Sequence, residues 1–322
     1  MPARLQQWGG VSAWIRSDGL TACFIALMSG LAQVTGIALL LFPELAALSF
    51  DVFRRPHGAW ARAPVLLVAT PFLTGLAGTI IARNLPYGPS AVLLAVASAI
   101  VIVQVLRSPI VPALAAGLLP LTIGLDSWWY APSLLFGTSM LVCISILWQR
   151  LCPLPAEAPI PAPAGKRDER DLSWLLFFGG FLIMAACIAA ATEVRFFLLP
   201  PLVVVAFEMF AHFEKCPWVK RPLRIPMVCG LSALATLTMV TWLGTGPFAV
   251  VLSLLAATVI MRIFDMYFPP AIAVAILPFV MPHHDFSYPA VVTASALLLS
   301  FTFLLWRSMV LRRQGSSATR QA

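Results

Sequence analysis

Long apolar runs alternate with short polar breaks along this chain. Stretches near 20–42, 64–83, 88–106, 131–149, 172–191, 225–243, 247–264 and 289–310 read as membrane-crossing helices, since about 20 residues span a hydrocarbon core of ~30 Å. Four further segments, 43–53, 109–125, 197–211 and 268–282, are shorter or interrupted by proline. As a helix the first of these reaches only about 16 Å, roughly half the core. Lipid offers no hydrogen-bond partners to exposed helix ends, so such pieces must be broken or half-length helices packed inside protein. The pattern predicts an all-α, polytopic membrane protein.

Composition strengthens that reading. Of 322 residues, 60% are hydrophobic and 11% charged, against about 25% charged in an ordinary soluble domain. The formal net charge of +8 would suit a nucleic-acid binder, but the basic residues sit between apolar stretches, as in cytoplasmic loops. The expected partners are therefore a lipid bilayer and a small-molecule or ion substrate, with no nucleic acid, and oligomeric state is left open. The first twenty residues lack the short apolar core and small-residue cleavage site of a removable signal peptide. The six cysteines form no Cys-x-x-Cys pair and read as small apolar side chains in a reducing compartment.

The charges also test topology. If all twelve segments cross and the N-terminus is cytoplasmic, nineteen of the 21 Lys and Arg face the cytoplasm, and only Arg83 and Arg195 fall outside. Losing one short crossing would put Arg54, Arg55 and Arg62 on the far side, against the positive-inside rule. Twelve crossings, with both termini cytoplasmic in a bacterial-type inner membrane, are expected.

A shift of 158 residues aligns Trp60–Trp148 with Trp218–Trp306 without a gap, giving 23 identities in 89 positions. Trp60/Trp218, Pro64/Pro222, Gly88-Pro89/Gly246-Pro247, Pro112-Ala113/Pro270-Ala271, Pro120/Pro278 and Tyr130/Tyr288 all coincide. With a one-residue adjustment, FPELAALSFDVF (42–53) matches LPPLVVVAFEMF (199–210). The chain thus reads as a first transmembrane repeat (1–151), a cytoplasmic proline-rich and charged linker (152–171) and a second repeat (172–322). An even number of crossings per half makes the repeats parallel, related by a pseudo-two-fold axis along the membrane normal.

In its second copy, MRIFDMYFPPAIAVAILPF (261–279) resembles the HPP family of integral membrane proteins, named for a His-Pro-Pro-Ala-like element that opens a transmembrane helix. Gly246-Pro247, Arg221-Pro222 and Tyr288-Pro289 match its flanks. The resemblance covers about 197–308 and, more weakly, 40–150. The naming histidine is replaced by Phe268 and, in copy one, Ile110, while copy one keeps only the second proline, Pro112. The family's small-residue run becomes Leu45–Phe50 and Leu202–Phe207. Some members are implicated in nitrite movement across membranes, and without the histidine that substrate does not follow residue by residue.

Ionisable residues inside a membrane are costly and point to function. Asp51 and Glu208 occupy equivalent places near the inner ends of the two short helices. They read either as a cation- or proton-carrying pair, or as rim salt bridges to Arg54, Arg55 or Lys215. Arg107 and Asp265 are also equivalent, with opposite charges, and either pair across the halves or face the cytoplasm. Pro112, Pro269 and Pro270 start helices whose free N–H groups and positive dipole ends would suit an anion; ordinary proline kinks are the alternative. His283-His284-Asp285 reads as a surface loop, and Trp128-Trp129-Tyr130 with Phe286–Tyr288 as an aromatic belt. No catalytic constellation, metal centre or cofactor is expected, and an enzyme is disfavoured. The expectation is a transporter or channel-like protein for a small solute, a small inorganic anion such as nitrite being the substrate class, with its site between the halves. A non-transporting scaffold is the alternative.

Overall fold

The computed structural model describes residues 11–151, 173–281 and 286–318. The linker and His283-His284-Asp285 lie outside them. Among the described residues every regular element is helical. The first half carries α1 (Val11–Thr35), α2 (Pro43–Arg54), α3 (Pro64–Asn84), α4 (Pro89–Val105), α5 (Ala113–Ile123) and α6 (Tyr130–Leu151). The second carries α7 (Ser173–Ala191), α8 (Pro200–Ala211), α9 (Arg224–Leu243), α10 (Pro247–Ile263), α11 (Pro270–Ile276, extended by a 3-10 turn Leu277–Phe279) and α12 (Tyr288–Ala318).

Proline sets many of the starts. Pro43, Pro64, Pro89, Pro200, Pro247 and Pro270 stand in the first turn, where the missing N–H would have had no partner. Left-handed residues that are not glycine follow three helices among the described residues, Glu193 (φ 60°) after α7 and the equivalent pair Arg107 (φ 48°) after α4 and Asp265 (φ 49°) after α10. Ser108 N–H donates to the Val103 carbonyl and Arg107 N–H to that of Gln104; Met266 to Met261 and Asp265 to Arg262 repeat the pattern. These are paired Schellman caps. Between proline start and cap, α4 and α10 run 17 residues each, about 25 Å. Among the described residues six helices rather than eight therefore have full crossing length.

The four short helices form the interior. Pro43–Phe53, Ala113–Thr122, Pro200–Phe210 except Glu208, and Pro270–Phe279 are buried on every face. Exposed Leu73, Val101, Leu176, Trp242, Val259 and Phe301 mark outward faces of the longer helices, which suit lipid. Across the halves, α1 packs on α10 as α7 does on α4, and α2 packs on α11 as α8 does on α5. Half-length helices that lipid would reject thus lie along the junction of the halves.

Several residues shared between the halves have a common physical reason. Trp60 Nε1 donates to the Pro109 carbonyl (3.0 Å) and Trp218 Nε1 to that of Tyr267 (2.8 Å), tying each inner loop to the start of its neighbouring helix. Pro120 and Pro278 have no N–H to offer the carbonyls four residues back, those of Ala116 and Val274. The Tyr130 hydroxyl donates to Ala116 (3.0 Å) and the Tyr288 hydroxyl to Val274 (2.7 Å). Both tyrosines are buried, unlike Trp128, Trp129 and Phe286, whose exposure fits the expected belt. We expect Tyr130→Phe and Tyr288→Phe each to cost about 1–3 kcal/mol, the penalty of an unsatisfied buried carbonyl. Thermal unfolding in detergent measures this; unchanged melting would refute the role.

Candidate functional site at the junction of the halves

At one end of the junction the start of α1, the end of α2 and the end of α10 converge on a buried ionic network. Asp18 accepts from Arg54 Nη2 at 2.9 Å and also from Arg262 of the other half. Both Asp18 and Arg54 side chains are less than a tenth exposed, at 9% and 6%, so this is an ion pair held out of water. One turn back on α2, Asp51 pairs with Arg55 and accepts from the Tyr267 hydroxyl at 2.7 Å. Phe50 stacks on Tyr267 at 5.7 Å, and the Arg54 and Arg55 guanidinium groups lie over those two rings. Burial, reinforced by the Asp51 charge, holds the Tyr267 phenol well above its usual range, so it stays a donor. The hydrogen bonds Arg262–Asp18 and Tyr267–Asp51 cross between the halves, as do the Phe50 and Arg55 contacts with the Tyr267 ring.

The equivalent crossing of α7 and α8 is built differently. Glu208 faces His212 at 3.1 Å and is partly exposed, and the surroundings are aromatic: Trp174, Phe178 and Phe207 pack edge to face. Asp51 and Glu208 are therefore not brought together; Asp51 is held by Arg55 and by Tyr267 of the other half, Glu208 by His212. Arg107 and Asp265 do not meet either. Asp265 pairs with Arg221 of its own half at 3.3 Å, while Arg107 is exposed. Their shared positive φ, rather than their opposite charge, is what the two positions have in common.

Pro112 and Pro269 are the residues immediately before α5 and α11, and Pro270 opens the latter. The N–H groups proposed as anion donors are engaged locally. Ala113, Leu114 and Ala115 donate to Ile110, Val111 and Pro112, and Ala271 and Ile272 to Phe268 and Pro269. An anion at these starts would have to displace those bonds.

Asp18, the hub of the ionic network, and one further buried carboxylate do not stand out in the sequence. Glu44, in the first turn of α2, is 2% exposed, and neither carboxyl oxygen has a hydrogen-bond partner. For Glu44 there is one signal, a carboxylate inside the apolar run FPELAAL, where the other half has Pro201. At the opposite end of the junction Arg195, preceding α8, lies over the Tyr87 ring of the first half at 5.3 Å. Burial pushes the Tyr87 phenol up to about 12, with Arg195 pulling the other way. A separate apolar hollow of about 450 Å³ opens between α7 and α12, lined by Leu176, Phe177, Gly180, Met184, Thr302 and Leu305. Among the described residues no three histidine, cysteine, aspartate or glutamate side chains group as a metal centre, and Cys23, Cys143, Cys187, Cys216 and Cys229 are free.

This arrangement, with all-helical elements, full-length apolar helices outside and half-helices within, defines a polytopic membrane protein of the all-α class. Residues 165–316 match the family described as HPP, transmembrane region, so the second half of the chain is similar to HPP membrane proteins. Neither the curated proteins nor the solved structures contain a match. Fold and family are consistent with a membrane transporter or channel in general terms.

Proposed function

We propose that the protein moves a small solute across the membrane along the junction of its two halves, which are tandem, like-oriented repeats. The observation that carries this reading is the placement of charge. The side chains of Asp18, Arg54 and Glu44 are all buried, on α1 and α2, the helices that pack against α10 and α11 of the other half. Burying ions costs several kcal/mol apiece, and intramembrane ionisable groups mark transport routes far more often than packing. The Asp18–Arg54–Arg262 network would act as a gate that closes one end. Arginines at both ends, Arg54 and Arg262 at one and Arg195 at the other, favour a small inorganic anion such as nitrite or nitrate. By the positive-inside rule, the Arg54 end faces the cytoplasm of a bacterial-type inner membrane.

A scaffold is the second reading, favoured by the apolar packing of α2, α5, α8 and α11. Reconstituted vesicles separate the two. Nitrite or nitrate uptake under an imposed gradient is expected, with Arg262→Ala raising the rate several-fold by loosening the gate. A protein that moves neither anion under any gradient would leave the scaffold standing.

A further inference from the structure

We propose that Glu44 is a proton-binding site at membrane depth, and that its proton couples solute movement to the pH gradient. The coupling role rests on the transport reading above; the proton site itself does not. Glu44 is enclosed at the junction, with both carboxyl oxygens free of hydrogen bonds. Enclosure strips an ionised carboxylate of most of its hydration, and only the backbone at its own helix start offers help, so the neutral acid is the favoured form. A guanidinium or ammonium group would relieve that constraint, and among the described residues no basic side chain forms an ion pair with it.

The titratable and charged groups of the surrounding elements bear this out. From α1 these are Arg16, Asp18 and Cys23, and Asp18 is committed to Arg54 and Arg262. From α6 they are Tyr130, Cys143 and Arg150, and the Tyr130 hydroxyl is given to Ala116. Neither α5 nor α11 carries a titratable side chain. Within α2, Asp51 lies two turns away, about 10 Å along the axis, and is occupied by Arg55 and Tyr267. What Glu44 does have is the positive end of its own helix, which favours the carboxylate for the brief interval after the proton leaves. A group whose neutral form is enforced by enclosure, yet whose anion is helped by a helix start, can release a proton once the enclosure loosens.

The test uses the full chain in lipid, with infrared spectroscopy and nitrite as probe. At neutral pH a carbonyl stretch of a protonated, weakly hydrogen-bonded carboxylic acid is expected. It should be absent from the isosteric Glu44→Gln variant, retained but displaced in Glu44→Asp, and shifted in D2O well before the amide protons of the core exchange. A missing band, a band that survives Glu44→Gln, or one that deuterium does not move would overturn the proton site. In vesicles, nitrite uptake driven by a pH gradient should fall at least tenfold in Glu44→Gln, while exchange of labelled for unlabelled nitrite persists. Uptake equally driven by pH in that variant would overturn the coupling. If nitrite moves in no variant while the band behaves as described, the anion reading fails and the proton site stands.

Discussion

Alanine at position 78 is expected to destroy the stable fold. Gly78 of α3 rests against Gly117 of α5. An added methyl group would overlap the Gly117 carbonyl oxygen, and would stand 2.8 Å from the carbonyl carbon and 3.1 Å from Cα. These are backbone atoms of a fully enclosed half-helix and cannot step aside alone. Overpacking ordinarily costs about 1–3 kcal/mol and more where nothing yields, so about 3 kcal/mol or more is expected here. Gly75, one turn earlier, is the control. Its added methyl would strike Leu134 Cδ1, the tip of a flexible side chain, so Gly75→Ala should cost clearly less. The yield of monodisperse protein and its melting temperature in detergent would rank the two; equal effects would contradict the close α3–α5 approach.

Asp18→Asn should produce the second largest loss. The substitution keeps the shape but removes the negative charge that Arg54 and Arg262 share. Breaking a buried ion pair from one side costs about 3–5 kcal/mol, because the remaining charge stays buried without compensation. Arg262 is about a third exposed and can turn to water, whereas Arg54 cannot, so a loss on the order of 3 kcal/mol is expected. The combined change Asp18→Leu with Arg54→Met should recover a good part of it, since an apolar pair of similar volume suits the site. Chemical or thermal unfolding of the single and double variants measures the coupling, and simple additivity would show that the pair is not interacting.

Segment lengths and charges went far in this chain. The too-short run 43–53 announced an internal helix, and the coincidence of Pro120 with Pro278 and of Tyr130 with Tyr288 marked positions that matter. Their meaning was not legible. A tyrosine at a helix end suggests an interfacial belt until one sees that its hydroxyl reaches back fourteen residues to a carbonyl that proline has left without a donor. Arg107 and Asp265 show a related limit. Charge is printed in the sequence, whereas a left-handed φ is not, and it is the backbone that these two positions share. Glu44 and Asp18 are a different case. Periodicity does not say which side of a helix a neighbour will cover, so buried and rim carboxylates look alike until α10 and α11 close over them.

The Tyr130 and Tyr288 bonds have a mechanical consequence. Of the inner half-helices, α5 and α11 each have a missing rung in the ladder, supplied by an outer, full-length helix rather than by the half-helix itself. These two inner pieces are therefore tethered where they are weakest: if α6 or α12 slides or tilts in response to the bilayer, the pull arrives at the flexible point of α5 or α11. Lateral pressure in the lipid then has a direct line to the centre of the molecule.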